Sequence, residues 1–148
     1  MRFAHGLLLL AIVLASNAAL GQSRTDLLDV LDKQERQWQT AQPRNYSYVL
    51  FIWHTFTRMT YEVTVRDGEC TARSRARPEQ KWTPGSCDGV GIMDVFGELR
   101  KQWQSCPADV RLEFDEKYGF ISDLTFEPKT DLGDQDWSIT ISNFKERK

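Results

Sequence analysis

A chain of 148 residues with 19 basic and 21 acidic side chains, 27% charged and 41% hydrophobic, has the size and composition of one folded domain. Its formal net charge of -2 excludes an electrostatic nucleic-acid binder and an acidic tail. Three cysteines are too few for a disulfide scaffold and odd in number, so they do not pair off neatly.

Residues 1–21 read as a secretory signal peptide. Arg2 supplies the positive end, the run from Gly6 to Ala15 the apolar stretch, and Ala19-Leu20-Gly21 the small-x-small cleavage site before Gln22. The apolar run is about ten residues where a spanning helix needs about twenty, so no integral membrane segment is expected in the mature chain. An uninterrupted Leu/Ile/Val run also has no polar face to leave in water, which argues against a core helix. With no cysteine following the run, no lipid anchor is expected. The product is expected to be a soluble periplasmic or secreted protein in an oxidising compartment, with residues 22–148 forming a single α+β domain.

Ser23 followed by Asp26 resembles a capping box, and Leu27, Leu28, Leu31 and Trp38 recur at helical spacing until Pro43. From Asn45 the period becomes two. Tyr46, Tyr48, Leu50 and Ile52 share one face and Val49, Phe51 and Trp53 the other, which predicts a strand that is central or covered on both sides. Asp67-Gly68 is a type I′ hairpin signal. A two-residue loop there sets Val65 opposite Cys70, Val63 opposite Ala72 and Tyr61 opposite Ser74. The other face then sets Arg66 opposite Glu69, Thr64 opposite Thr71, Glu62 opposite Arg73 and Arg58 opposite Arg77.

Residues 77–89 read as a loop. Ile92, Val95, Phe96, Leu99 and Trp103 predict a second helix, ended at Pro107. Val110, Leu112 and Phe114 alternate with charges, Tyr118-Gly119 turns the chain, and Leu124 and Phe126 return. A last strand carries Trp137, Ile139 and Ile141 on one side. The order α-β-β-β-α-β-β-β, with short hairpins, predicts a single antiparallel sheet with two helices packed on one face.

In an oxidising compartment one bridge and one leftover thiol is the simplest outcome. A second helix of about thirteen residues is about 20 Å long and holds Cys87 and Cys106 apart, while a bridge needs Cα atoms within about 7 Å. Cys70–Cys87 is therefore the favoured pair. A Cys₃His zinc site from the three cysteines and His54 lacks any close C-x-x-C pair. Asp131, Asp134 and Asp136 miss the calcium-loop pattern, and no metal or other cofactor is expected. His54 is the only histidine of the mature chain, and no local motif supplies the nucleophile and orienting group that a general base needs.

Charge is unevenly distributed. Arg58, Arg66, Arg73, Arg75, Arg77 and Lys81 make the hairpin region basic, whereas the stretch from Pro107 to Asp136 is strongly acidic. Pairing of the two regions across one sheet accounts for this; the rival reading is a patch of Arg73, Arg75 and Arg77 for a carboxylate-rich partner. The aromatic strand through Trp53 reads as core packing or, alternatively, as the wall of a ligand groove.

Several marks together resemble a bacterial exported family known only as a domain of unknown function, number 6174. They are a short helix ending near Trp38, the strand start Asn45-Tyr46-Ser47-Tyr48, the hairpin Val63-Thr64-Val65-Arg66-Asp67-Gly68, the helix around Asp94-Val95-Phe96, and Phe114-Asp115 ahead of Tyr118-Gly119-Phe120. The resemblance covers most of residues 25–142. It implies a secreted or lipid-anchored protein, often with first-strand cysteines and a proline after the Tyr-Gly-aromatic turn. Here Trp53 and His54 stand in the first strand and Ile121 in the proline position, so the family's cysteine pattern does not carry over. No activity comes with the resemblance.

The expected function is that of an exported, non-enzymatic interaction or binding module of the bacterial envelope, with a protein partner there. The candidate binding residues are Trp53, His54, Arg73, Arg75 and Arg77. The rivals are a small-ligand carrier with a groove near Trp53, between sheet and helices, and a hydrolase using His54.

Overall fold

The structure, a computed structural model, describes residues 24–105, 108–129 and 136–147. Its elements run α1 (Arg24–Ala41), β1 (Tyr46–His54), β2 (Thr57–Arg66), β3 (Glu69–Arg75), β4 (Thr83–Gly85), α2 (Ile92–Ser105), β5 (Ala108–Phe114), β6 (Ile121–Pro128) and β7 (Trp137–Glu146). The strands form one seven-stranded sheet in the order β4-β3-β2-β1-β7-β6-β5, and every pairing is antiparallel. The α+β class, the single antiparallel sheet and the two helices on one face are as the periodicity predicts. Sequence periodicity missed only β4, a three-residue edge strand in a stretch that reads as loop. Pro84 sits there opposite Arg73 and, lacking an N–H, suits an outer edge.

The β2–β3 hairpin has the expected register from Arg66↔Glu69 to Glu62↔Arg73 and Tyr61↔Ser74. Asp67 and Gly68 both have positive φ, 51° and 85°, as a type I′ turn requires. The Arg58–Arg77 pair is not made. The ladder stops at Thr60↔Arg75, Arg77 lies in the following bend, and Arg58 pairs with Trp53 of β1. Extending two like charges directly opposite each other would have been unfavourable.

The core lies between one face of the sheet and the helices. Tyr48, Leu50, Val63, Leu124, Phe126, Trp137, Ile139 and Ile141 meet Leu27, Leu31 and Trp38 of α1 and Ile92, Val95, Phe96 and Leu99 of α2. Arg100 of α2 reaches back to Asp32 at 2.7 Å and Glu35 at 2.6 Å, which ties the helices together. At the start of α2 the Gly91 N–H donates to the Asp94 carboxylate at 2.9 Å, the half of a capping box that comes from the third residue, since Gly91 has no side chain to return it.

Trp38 organises an aromatic cluster, with ring centroids 5.4 Å from Tyr46, 5.8 Å from Phe120 and 6.0 Å from Phe144. Phe144 reaches it because β7 carries a bulge. Asn143 takes φ 53° where the β1–β7 register shifts between Ser47 and Val49. The extra residue reverses the facing of the residues after it, so Phe144 joins the side of Ile141. Gly119 closes the β5–β6 turn at φ 79°, and a Cβ there would lie 2.8 Å from Gln37 Cβ and 2.9 Å from Gln34 O. Only glycine lets that turn seat against α1.

β1 is indeed central, but its second apolar row lies outside the core. Both helices and the 86–91 segment lie on the Tyr48–Leu50 side, while on the other face Phe51 is exposed, Val49 and Trp53 are half-buried, and none of the three packs in the core cluster.

Candidate functional site

Alternation along each strand gives the open face its composition. From one side to the other it presents Glu69, Thr71, Arg73 and Arg75 of β3, Arg58, Thr60, Glu62, Thr64 and Arg66 of β2, and Val49, Phe51 and Trp53 of β1, so that four arginines outnumber two glutamates on this flank. Beyond them come Ser138, Thr140 and Ser142 of β7, Asp123, Thr125 and Glu127 of β6, and Asp109, Arg111 and Glu113 of β5. Phe51 is 37% exposed and Trp53 half-buried, so an aromatic ridge runs along the middle. The basic strands lie on one flank and the acidic ones on the other.

This arrangement corrects one reading of the charge pattern. The basic hairpin and the acidic stretch do not pair across the sheet, because β1 and β7 separate them. Each flank instead pairs within itself. Arg73 Nε donates to Glu62 at 2.6 Å, Arg111 reaches Glu127 at 2.8 Å, and Lys129 reaches Asp109 at 2.7 Å.

Arg73 and Arg75 stand on the open face, as their position on the hairpin predicts. Arg77 does not join them on the strand; its N–H, like that of Ala76, donates to Gln80 Oε1 at 3.1 Å in the bend. Sequence reasoning missed Trp82. Its ring lies 4.3 Å from the Arg75 guanidinium and 5.2 Å from that of Arg73, so it backs the cationic patch by cation–π contact. Arg75 also donates from Nη1 to Pro78 O at 2.8 Å, while its Nε is buried without a partner among the described residues. The alternation Trp82, Pro84 opposite Arg73 was the only available signal, too short to read as a strand. Phe56, 86% exposed in the β1–β2 turn, was missed because Thr55-Phe56 carries none of the usual turn residues.

Trp53 and His54 are adjacent on β1 and point to opposite faces, so they do not share a site. Trp53 looks out between Arg58 and Ser138, away from the helices, and a groove between sheet and helices cannot include it. His54 is exposed, and its imidazole makes no hydrogen bond or ion pair among the described residues.

A polar cavity of about 480 Å³ lies at the other end of β1, lined by Asn45, Arg66, Asp67 and Arg147. Asn45 Oδ1 accepts the Asp67 N–H at 2.8 Å, Arg44 Nε meets the Asp67 carboxylate at 2.8 Å, and Arg147 Nε donates to Ser47 Oγ at 3.0 Å. The first two contacts pin the β2–β3 turn to the residues before β1, and the third ties the residue following β7 to β1.

The expected bridge is present: Cys70 of β3 is bonded to Cys87, with Cα atoms 6.2 Å apart. That bond takes up two of the three cysteines that the Cys₃His arrangement would have used. Cys106, Asp131 and Asp134, the cap at Ser23, and the whole of residues 1–21 lie outside the described residues. No described helix is long and apolar enough to cross a membrane.

The fold and surface define a class: a one-sided antiparallel α+β sheet, helices on one face and a charge-segregated, aromatic-centred surface on the other. The chain belongs to the family of unknown function DUF6174, whose model matches residues 30–146. No curated protein and no solved structure matches it. The marks that carry the resemblance have structural roles here. Asn45 holds the Asp67-Gly68 turn, Tyr48 Oη donates to Val90 O at 2.7 Å, and Asp115 Oδ1 accepts the N–H groups of Lys117 and Tyr118 at 3.0 and 2.8 Å.

Proposed function

We propose that the protein is an exported, non-enzymatic interaction module of the bacterial envelope, with residues 1–21 as its secretory leader, residues 22–148 as its single domain, and the open face of the sheet as its working surface. The observation that carries this reading is the aromatic ridge of Phe51 and Trp53, which lies outside the core on a sheet whose other face packs against both helices. Aromatic and arginine side chains at the centre of a surface are the groups that dominate protein–protein binding. Arg73 and Arg75, stiffened by Trp82, supply forked donors for carboxylates. A disulfide between Cys70 and Cys87 suits the oxidising compartment beyond the inner membrane.

The test is capture from an envelope extract with three baits: the wild-type protein, Phe51→Glu, and Met93→Glu, which alters an exposed apolar residue on α2 away from the open face. The wild type and Met93→Glu are expected to retain the same partner, and Phe51→Glu to lose it by about thirtyfold in affinity, the scale of a central aromatic contact. Identical captured sets from all three baits would overturn the assignment of the surface.

A further inference from the structure

We propose that the open face is the contact between two copies of this chain, related by a two-fold axis that lies in the plane of the contact and runs along β1. The proposal rests on the reading of this face as the working surface and names its occupant.

Three observations select a second copy. First, β1 is the fourth of seven strands, so the outward apolar row of Val49, Phe51 and Trp53 divides the face evenly, three strands to a side. Second, the flanks are oppositely charged. A two-fold axis along β1 turns the face over and exchanges its sides, laying the basic flank of each copy on the acidic flank of the other. An axis across the strands would keep the sides and stack basic on basic, which charge repulsion opposes. Third, the size suits a stable pair. The six longer strands, about 4.8 Å apart and about 24 Å long, offer about 700 Å² per copy, close to the roughly 800 Å² that each partner buries in a standard interface; β4, of three residues, adds little.

The register makes the contact specific. Phe51 pairs with Thr60 on one side and Thr140 on the other, Thr60 with Arg75, and Thr140 with Asp123. Arg75 and Asp123 therefore stand at the same height along β1, each two strands from it, on opposite sides. Rotation about β1 sets Arg75 of one copy over Asp123 of the other, and by symmetry the reverse, while Phe51 meets its own counterpart on the axis. Aligned sheets pack with strands about 30° apart, which tilts the axis about 15° from β1 and leaves an offset the long arginine side chain can span. The contact is isologous, so it closes at two copies and leaves no open surface to propagate.

Sedimentation of the purified protein across a micromolar concentration range tests this, with Arg75→Asp, Asp123→Arg, the double variant and an equimolar mixture of the two single variants. The wild type is expected to dimerise, more weakly at high salt, and each single reversal to weaken the dimer by about tenfold or more. The mixture is expected to recover it, because one copy then carries acids at both positions and the other carries arginines at both; the double variant recovers it by exchange. Circular dichroism establishes that every variant is folded. If a single reversal fails to fold, the same comparison is made with Arg75→Gln and Asp123→Asn, each expected to weaken the dimer less than reversal does. A wild type that stays monomeric throughout, a dimer indifferent to the reversals, or folded single variants that fail to associate when mixed would overturn the proposal. A monomer that still loses its envelope partner on Phe51→Glu would overturn the second copy alone. Loss of both results would overturn the working surface as well.

Discussion

Tyr48 shows how a single residue joins the sheet to the segment that precedes α2. It is 3% exposed, stacks at 6.1 Å on Tyr46, and donates its phenol hydrogen to Val90 O at 2.7 Å. Burial, with Tyr46 and Asp94 nearby, pushes its pKa far above the ordinary value of 10.0. The folded protein thus holds a proton that the unfolded chain releases above about pH 10. The contribution of this group is complete below that value and is lost as pH rises beyond it. Urea unfolding measured from neutral to strongly alkaline pH should show stability falling on that limb. Tyr48→Phe should be less stable by about 1–2 kcal/mol at neutral pH, because Val90 O loses its donor in a buried place. Its alkaline decline should be shallower than that of the wild type. An alkaline limb of unchanged slope in the variant would remove Tyr48 as its source.

Among the elements, the β2–β3 hairpin and the bridge that anchors it were legible in the sequence. Asp67-Gly68 fixes the turn, the turn fixes the register, and the register turns Cys70 toward the side that Cys87 reaches. The neighbouring β1–β2 hairpin was not legible as a tight turn, since Thr55-Phe56 lacks residues that favour one. β4 was equally hidden: three residues with a proline carry too little alternation to separate from loop. The bulge at Asn143 was invisible because nothing local demands it; the pull of Phe144 into the Trp38 cluster does. The bridge constrains a loop of 17 residues in the unfolded chain, which is worth about 3 kcal/mol. Reduction, or the pair Cys70→Ser and Cys87→Ser, should lower the unfolding free energy by about that amount while leaving the far-ultraviolet spectrum of the sheet in place. An unchanged denaturation midpoint would show that the 86–91 segment is held by Tyr48 and Val90 alone.

For the molecule as a whole, strand order sets where stability concentrates. β1 is bonded along its length to β2 and β7, whereas β4 and β5 pair on one side only. Amides of β1 at residues whose side chains face the core, such as Tyr48 and Leu50, should exchange with solvent at the rate of global unfolding. Those of β4 and the outer side of β5 should exchange faster by about a hundredfold or more, through local fraying. Hydrogen exchange read strand by strand checks this, and uniform protection across the sheet would contradict it. Of the candidate site, the sequence placed Arg73 and Arg75 on one outward row and put an apolar second face on β1. It could not show that the face stays open, that Trp82 backs the arginines, or that Trp53 and His54 serve different sides of the sheet.

The division follows from the reach of the forces involved. Periodicity, turn residues and charge act over a few positions, so the sequence by itself determined the element types, the α+β class, the hairpin register and the pairing of Cys70 with Cys87. Which strands become neighbours depends on long-range burial, so only the tertiary structure put β1 beside β7, at the centre of the sheet. The same choice separated the basic and acidic strands by two intervening ones, and both helices then took the Leu50 side, leaving Phe51 and Trp53 facing out. A strand apolar on both faces fixes that two surfaces need cover; where the rest of the chain folds decides which of them receives it.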